Sequence, residues 1–262
     1  MALRKYNFSP KDKSNPLYYS IGSRLRVPYL LKEVLDLPKS SVFLDLGCGI
    51  GFLSGILANL NFRVIGVDPD QSSIAKAKKN YQSNNLEFFV ASAEKLPIED
   101  NSIDFVVCSE VLEHVKDLTA TLKEIKRVAK PGAKFFITVP SREGIFSTFF
   151  LKIGHSDNNL YEKDYRQPFT YQEIKQVLEE NDFLIENYQY SKFFFSELIM
   201  GFTKKIHQYL NKNKNLSGQS DINTPPLIYQ ITFPLLLFIG RVEDFLLKSL
   251  KGHMIIIKGK VK

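Results

Sequence analysis

Glycine stands at every second position of Gly47-Cys48-Gly49-Ile50-Gly51, immediately after the apolar run Val42–Leu46. Backbone of this kind turns sharply and approaches a ligand closely, because no Cβ intervenes. One acid, Asp45, precedes the first glycine by two residues, and another, Asp68, ends the run Val64-Ile-Gly-Val67. A carboxylate at the end of a second strand can accept hydrogen bonds from both hydroxyls of a ribose. The dinucleotide fingerprint asks for a third glycine where Phe52 stands, so that pattern fails. The chemistry expected is capture of a nucleoside-bearing ligand.

Those residues need a frame to hold them. Val42–Leu46, Arg63–Asp68, Leu86–Ala91, Ile103–Ser109 and Lys134–Val139 read as short buried strands. Helical periodicity fills Phe52–Leu60, Gln71–Ser83 and Leu118–Val128, the last ended by Lys130-Pro131-Gly132. Strict alternation of strand and helix implies βαβ units and a parallel sheet with right-handed crossovers. Asp45, Asp68, Ser92, Ser109 and Glu110 then gather at the carboxyl ends of strands, where open α/β sheets bind ligands. Cys48 and Cys108 fall there as well, as two small residues near the ligand.

Downstream, Tyr171–Asn181 reads as a helix. Thr170 is its N-cap, Glu173 completes a capping box, and Ile174, Val177 and Leu178 share one face. Phe183–Tyr190 and Met254–Ile257 are the last two strands, separated by a connection far longer than the few residues usual in such folds. Within it, Phe195, Leu198, Ile199, Phe202, Ile206 and Leu210 recur at helical spacing, followed by a loop and a second apolar stretch, Leu227 to Leu250. Leu227–Gly240 is apolar apart from Gln230 and Thr232, but Pro234 interrupts it and Arg241 ends it. That is shorter than the roughly 20 apolar residues a spanning helix needs. A lid, a dimer contact or an interfacial helix remains.

The chain has 262 residues and a formal charge of +7. From Glu197 onward, ten Lys or Arg face four Asp or Glu, so nearly all the excess lies in the last quarter. The polar stretch Met1–Pro16 lacks an apolar signal core, and two cysteines make no disulfide framework. Both point to a cytoplasmic protein, with a peripheral contact at the inner membrane face open to residues 193–250.

Four stretches in order carry a resemblance: Val42-Phe-Leu-Asp-Leu-Gly-Cys-Gly-Ile-Gly51, Val64-Ile-Gly-Val-Asp-Pro-Asp70, Val90-Ala-Ser-Ala-Glu-Lys-Leu-Pro97 and Ile103-Asp-Phe-Val-Val-Cys-Ser-Glu-Val-Leu-Glu-His-Val115. Ile125-Lys-Arg-Val-Ala-Lys-Pro-Gly132 adds the turn before a fifth strand. The chain resembles the class I, Rossmann-like S-adenosylmethionine-dependent methyltransferases, among them the ubiquinone- and menaquinone-pathway enzymes. The resemblance implies S-adenosyl-L-methionine as cofactor, held by Asp45, Gly47, Cys48, Gly49, Asp68, Pro69, Ser92, Ala93, Ser109 and Glu110. Ser92 departs from the Asp that the family usually places beside the adenine.

Some relatives use a Glu-x-x-Glu-His group to hold a divalent cation, and Glu110, Glu113 and His114 repeat its letters. Elsewhere in the family the same letters cap and pack a helix, so no metal is expected. His114, His155 and Tyr165 are candidate catalytic bases, the last two in the region where the family shapes its acceptor pocket. Tyr18, Tyr19, Arg24 and Arg26 lie where relatives fold a flap over the cofactor.

The expected fold is an α/β three-layer sandwich. Its seven-stranded sheet is mostly parallel, with the last strand antiparallel and a helical insertion before it. Residues 1–41 form a helical flap, 42–192 and 251–262 the Rossmann-like domain, and 193–250 an apolar, basic insertion. The expected activity is methyl transfer to oxygen of a small-molecule or lipid-like acceptor, prompted by Phe193, Phe194, Phe195, Phe202, Phe233 and Phe238 in that insertion. An RNA methyltransferase is the alternative, but nucleic acid is not an expected partner because the basic residues are interleaved with apolar ones. A non-catalytic interaction protein is a third reading, opposed by intact Asp45, Gly47, Gly49 and Asp68.

Overall fold

The computed structural model describes residues 20–144, 168–191, 199, 227–247 and 250–262. Along the chain come α1 (Ile21–Val34), β1 (Val42–Leu46), α2 (Phe52–Asn59), β2 (Arg63–Asp68), α3 (Gln71–Asn80), β3 (Leu86–Val90), β4 (Ile103–Ser109), α4 (Leu118–Val128), β5 (Ala129–Pro140), α5 (Tyr171–Glu180), β6 (Phe183–Ser191), α6 (Leu227–Leu246) and β7 (Met254–Val261). Two compact units result, one of residues 33–191 and 250–262, the other of 1–32 and 192–249.

The first unit holds a seven-stranded sheet in the order β3-β2-β1-β4-β5-β7-β6. Pairing is parallel from β3 across to β5, and β7 runs antiparallel to both β5 and β6. The expected α/β fold with an antiparallel last strand is therefore the observed one. Connections run one way from β1 through α2 and α3, and the other way from β4 through α4. Right-handed crossovers in opposite directions place those helices on opposite faces. One core joins Leu122, Ile125 and Val128 of α4 to Ile174 and Leu178 of α5 and to the sheet. On the α3 side, Ile74 and Ala77 pack with Tyr81, Phe88 and Cys48.

Local chemistry explains the helix starts. Asp70 accepts from the amides of Ser72 and Ser73, Asp117 accepts from Ala120, and Thr170 and Glu173 form the full capping box. In this unit two strands run well past the sequence reading. Lys130-Pro131-Gly132 lies inside β5, which begins at Ala129 because that residue pairs with Ile103 before the ladder shifts register. β7 runs on to Val261, past its apolar tetrad, because it is hydrogen-bonded on both sides by β5 and β6. Partners, not hydrophobicity, set its length.

In the second unit, neither Pro234 nor Arg241 breaks the helix. Both lie within α6, a helix of 20 residues. Proline removes one helical hydrogen bond, but burial of Phe233, Leu236 and Leu237 holds the turns around it. Arginine is a good helix former, and Tyr29 of α1 donates its hydroxyl to Asp244 in the following turn. No helix among the described residues is long and apolar enough to cross a membrane.

Candidate functional site

The strand order reverses between β1 and β4, so the loops leaving them diverge and open a crevice at their carboxyl ends. After β1 the amides of Gly47 and Cys48 both donate to the carbonyl of Val67, at 2.8 and 3.0 Å, and Gly51 donates back to Cys48. The turn runs through positive φ at Gly47 (67°) and Gly49 (51°), a region costly for residues with a side chain. The two glycines serve different ends. A Cβ on Gly47 would sit 2.3 Å from Val111 Cγ2, whereas a Cβ on Gly49 would meet nothing within 4 Å. Gly47 lets the loops pack, and Gly49 borders open space.

Asp68 closes one side of that space. Its Oδ2 accepts from the amide of Gly49 at 2.9 Å and its Oδ1 from the amide of Asp70 at 2.9 Å. Two amides thus fix the carboxylate, and each oxygen keeps further acceptor capacity. Pro69 beside it is exposed. Asp45 lies beneath, buried, with Ser54 Oγ donating to it at 2.5 Å. Burial pushes its carboxyl up to about 7, opposed by the Ser54 bonds and aided by the charge of Asp68.

Across the crevice, Ser109 and Glu110 end β4. Ser109 Oγ is 3.0 Å from Thr138 Oγ1, which donates to Glu110 Oε1 at 3.2 Å, and the Glu110 amide donates to the carbonyl of Thr138. Glu110 itself has a φ of 58°, an uncommon conformation for a residue with a side chain. Residues 111–117 continue as turns, not as a helix. Glu113 is buried in that turn with Oε1 3.9 Å from Nε2 of the more exposed His114. Among the described residues, no three His, Cys, Asp or Glu side chains are grouped to hold a metal ion.

The third wall is the loop after β3. Ser92, which is exposed, donates to Glu94, and Glu94 Oε1 accepts from the amides of Lys116 and Asp117. Burial opposes ionisation of Glu94, but these hydrogen bonds hold it below the usual carboxylate range. Ala93 is buried between them in sequence. Cys48 and Cys108 are both buried and free, and burial pushes both thiols up, leaving them protonated and inert.

The structure thus brings Asp45, Gly47, Cys48, Gly49, Asp68, Pro69, Ser92, Ala93, Ser109 and Glu110 to one end of the sheet, on consecutive strand-ending loops. His114 lies on the same side, while His155 and Tyr165 fall outside the described residues, as do Tyr18 and Tyr19. Sequence reasoning missed two groups. Thr138, fully buried at the end of β5, bridges Ser109 to Glu110, and its only sequence signal was its place in an apolar strand. Glu143, just beyond β5, accepts from Tyr190 Oη and from the amide of Tyr171, both at 2.7 Å, and from Lys251 Nζ. No motif marks it.

Comparison with known proteins agrees with this geometry. Residues 44–137 match the family described as methyltransferase domain. A ubiquinone biosynthesis O-methyltransferase of Xanthomonas oryzae is 39% identical over 111 residues, covering 41% of this chain and 46% of that protein. The match therefore spans about half the length of that curated relative. Among solved structures, a methyltransferase bound to the Haloferax volcanii Trm112 methyltransferase activator superposes with a TM-score of 0.57 at 17% identity, covering 98% of this chain and 99% of that one. Haemonchus contortus phosphoethanolamine N-methyltransferase 2, in complex with S-adenosyl-L-methionine, gives 0.60 at 20% identity, covering 91% of this chain and 52% of that one. At such identities these structures speak for the fold. Residues 44–137 thus match a methyltransferase domain, on a fold shared with the two superposed methyltransferase structures.

Proposed function

We propose that the protein transfers the methyl group of S-adenosylmethionine to an oxygen of a small-molecule or lipid-like acceptor. One observation carries the reading: Gly49 borders open space at positive φ while its amide anchors Asp68, a carboxylate with acceptor capacity to spare. A ribose diol fits that pair, and the backbone of Gly47, Cys48 and Gly49 would let the rest of the cofactor approach. Asp45 would face its positive charge. Pro69, Ser92 and Ala93 would flank the base, and Ser109 and Glu110 the opposite wall.

Bound S-adenosylmethionine supplies an activated methyl on a sulfonium. The protein's share is then alignment, holding acceptor oxygen, methyl and sulfur in line and keeping water out. The Xanthomonas relative is named for O-methylation in ubiquinone biosynthesis, which favours oxygen and an acceptor with apolar parts. His114, His155 and Tyr165 are the groups we assign as candidates to take the acceptor's proton.

The test is a cofactor titration followed by incubation with methyl-labelled cofactor and fractionated cell extract. Tight binding and label in the small-molecule or lipid fraction are expected. Label confined to RNA would overturn the acceptor class. A folded protein that binds no cofactor would overturn the enzyme reading itself.

A further inference from the structure

At about 100° per residue, Leu235, Phe238, Val242, Phe245 and Leu246 fall within one arc of α6 of about 100°. The opposite side carries Phe233, Leu236, Leu237, Gly240 and Glu243, all buried. Four of the five outward residues, Leu235, Phe238, Phe245 and Leu246, are 62% to 76% exposed. Leaving that much contiguous apolar side chain in water is unfavourable, so such a face ordinarily has an occupant.

Charge selects the occupant. The two acids of the helix are turned away from the stripe: Glu243 is buried, and Asp244 accepts from Tyr29. Arg241 is exposed and borders the stripe. On α6 itself Arg241 is the one basic residue, and the stripe carries no acid. A second copy docking face to face would oppose cation to cation with no carboxylate on either stripe to pair them. An anionic surface complements both the apolar residues and the charge.

We propose that the outward face of α6 docks flat on an anionic lipid surface. A helix of 20 residues is about 30 Å long. Lying in the plane, it would set its leucines and phenylalanines at the headgroup–acyl boundary with Arg241 at the phosphates. The inference concerns where the protein works and stands whether or not the proposed acceptor is correct.

Co-sedimentation of the full chain with vesicles of equimolar phosphatidylglycerol and phosphatidylcholine tests it. Binding in low salt is expected, with little to vesicles of phosphatidylcholine alone. The triple variant Leu235→Ser/Phe238→Ser/Phe245→Ser should partition at least about tenfold more weakly, since three exposed apolar anchors are lost. Arg241→Gln should weaken binding about fivefold on anionic vesicles, the usual share of one cation. All three apolar sites are exposed, so the variants should melt with the parent. Their cofactor affinity, measured alongside, separates a failure here from a failure of the proposed enzyme. The idea is overturned if the parent stays in the supernatant, or if the triple variant binds as well as the parent. Light scattering that finds a dimer abolished by the triple variant, without vesicle binding, assigns the stripe to a second copy instead.

Discussion

The amide of Gly49 donates to Asp68 Oδ2 at 2.9 Å, so the glycine turn after β1 and the acid ending β2 are held as one piece. Removing the carboxylate should therefore cost a ligand contact and loosen the turn together. For Asp68→Ala, cofactor affinity should fall by about 1.5–3 kcal/mol, the scale of charge-assisted hydrogen bonds at a pre-formed site. Isothermal titration measures it. Unchanged affinity in a folded variant would remove Asp68 from the ribose.

Gly47→Ala and Gly49→Ala should separate packing from binding. The first drives a methyl into Val111 and should lower stability by about 1–3 kcal/mol, partly restored by adding Val111→Ala. The second meets open space, so only the left-handed backbone cost of about 1–2 kcal/mol applies. Its main loss should be in cofactor affinity. Thermal melts and titrations of the same four proteins decide, and equal binding losses would refute the division.

Asp45 should make the proposed cofactor site sensitive to pH. Its carboxyl, ordinarily near 3.8, is pushed up to about 7 by burial. Between those values the folded protein holds a proton that the unfolded chain has lost, so stability falls as pH rises from about 4 to about 7. Asp45→Asn should flatten that stretch of the stability curve. A cationic ligand favours the ionised form, so affinity for S-adenosylmethionine should rise through neutrality in the parent and much less in Asp45→Asn. A pH-independent affinity would place the sulfonium and amino group elsewhere.

Turnover should survive EDTA. Glu110 faces Thr138 while Glu113 is buried beside His114, so the two carboxylates are committed in different directions. Activity lost to EDTA, restored by Mg²⁺ or Zn²⁺ and abolished by Glu113→Ala, would show that the three side chains regroup around a cation.

Much of this site was legible in sequence because its parts are local. A glycine turn and strand-end acids announce themselves through residue type and spacing, and α4 matched its expected limits because Asp117 caps it and its apolar face is periodic. What was missed depends on partners distant in sequence. The Pro131-Gly132 pair looks like a stop, yet Ala129 already pairs with Ile103 on the neighbouring strand. Pro234 looks like a breaker, yet buried neighbours on both sides hold the helix. Thr138 and Glu143 acquire roles only when β5 is laid beside β4 and β7. Nothing in their own neighbourhoods says so.

The register of the last two strands has one more consequence. Ser191 ends β6 and lies directly opposite Met254, the first residue of β7, so the pair is an antiparallel hairpin. Residues 192–253 are, in connectivity, its loop. Each doubling of a loop's length costs only about 0.6 kcal/mol in closure entropy, so a hairpin tip can grow into a cassette without disturbing the ladder beneath it. Residues 192–253 leave and re-enter the sheet at a single hairpin tip, and exchanging them between relatives would also have to preserve their packing with α1, the Tyr29–Asp244 bond included.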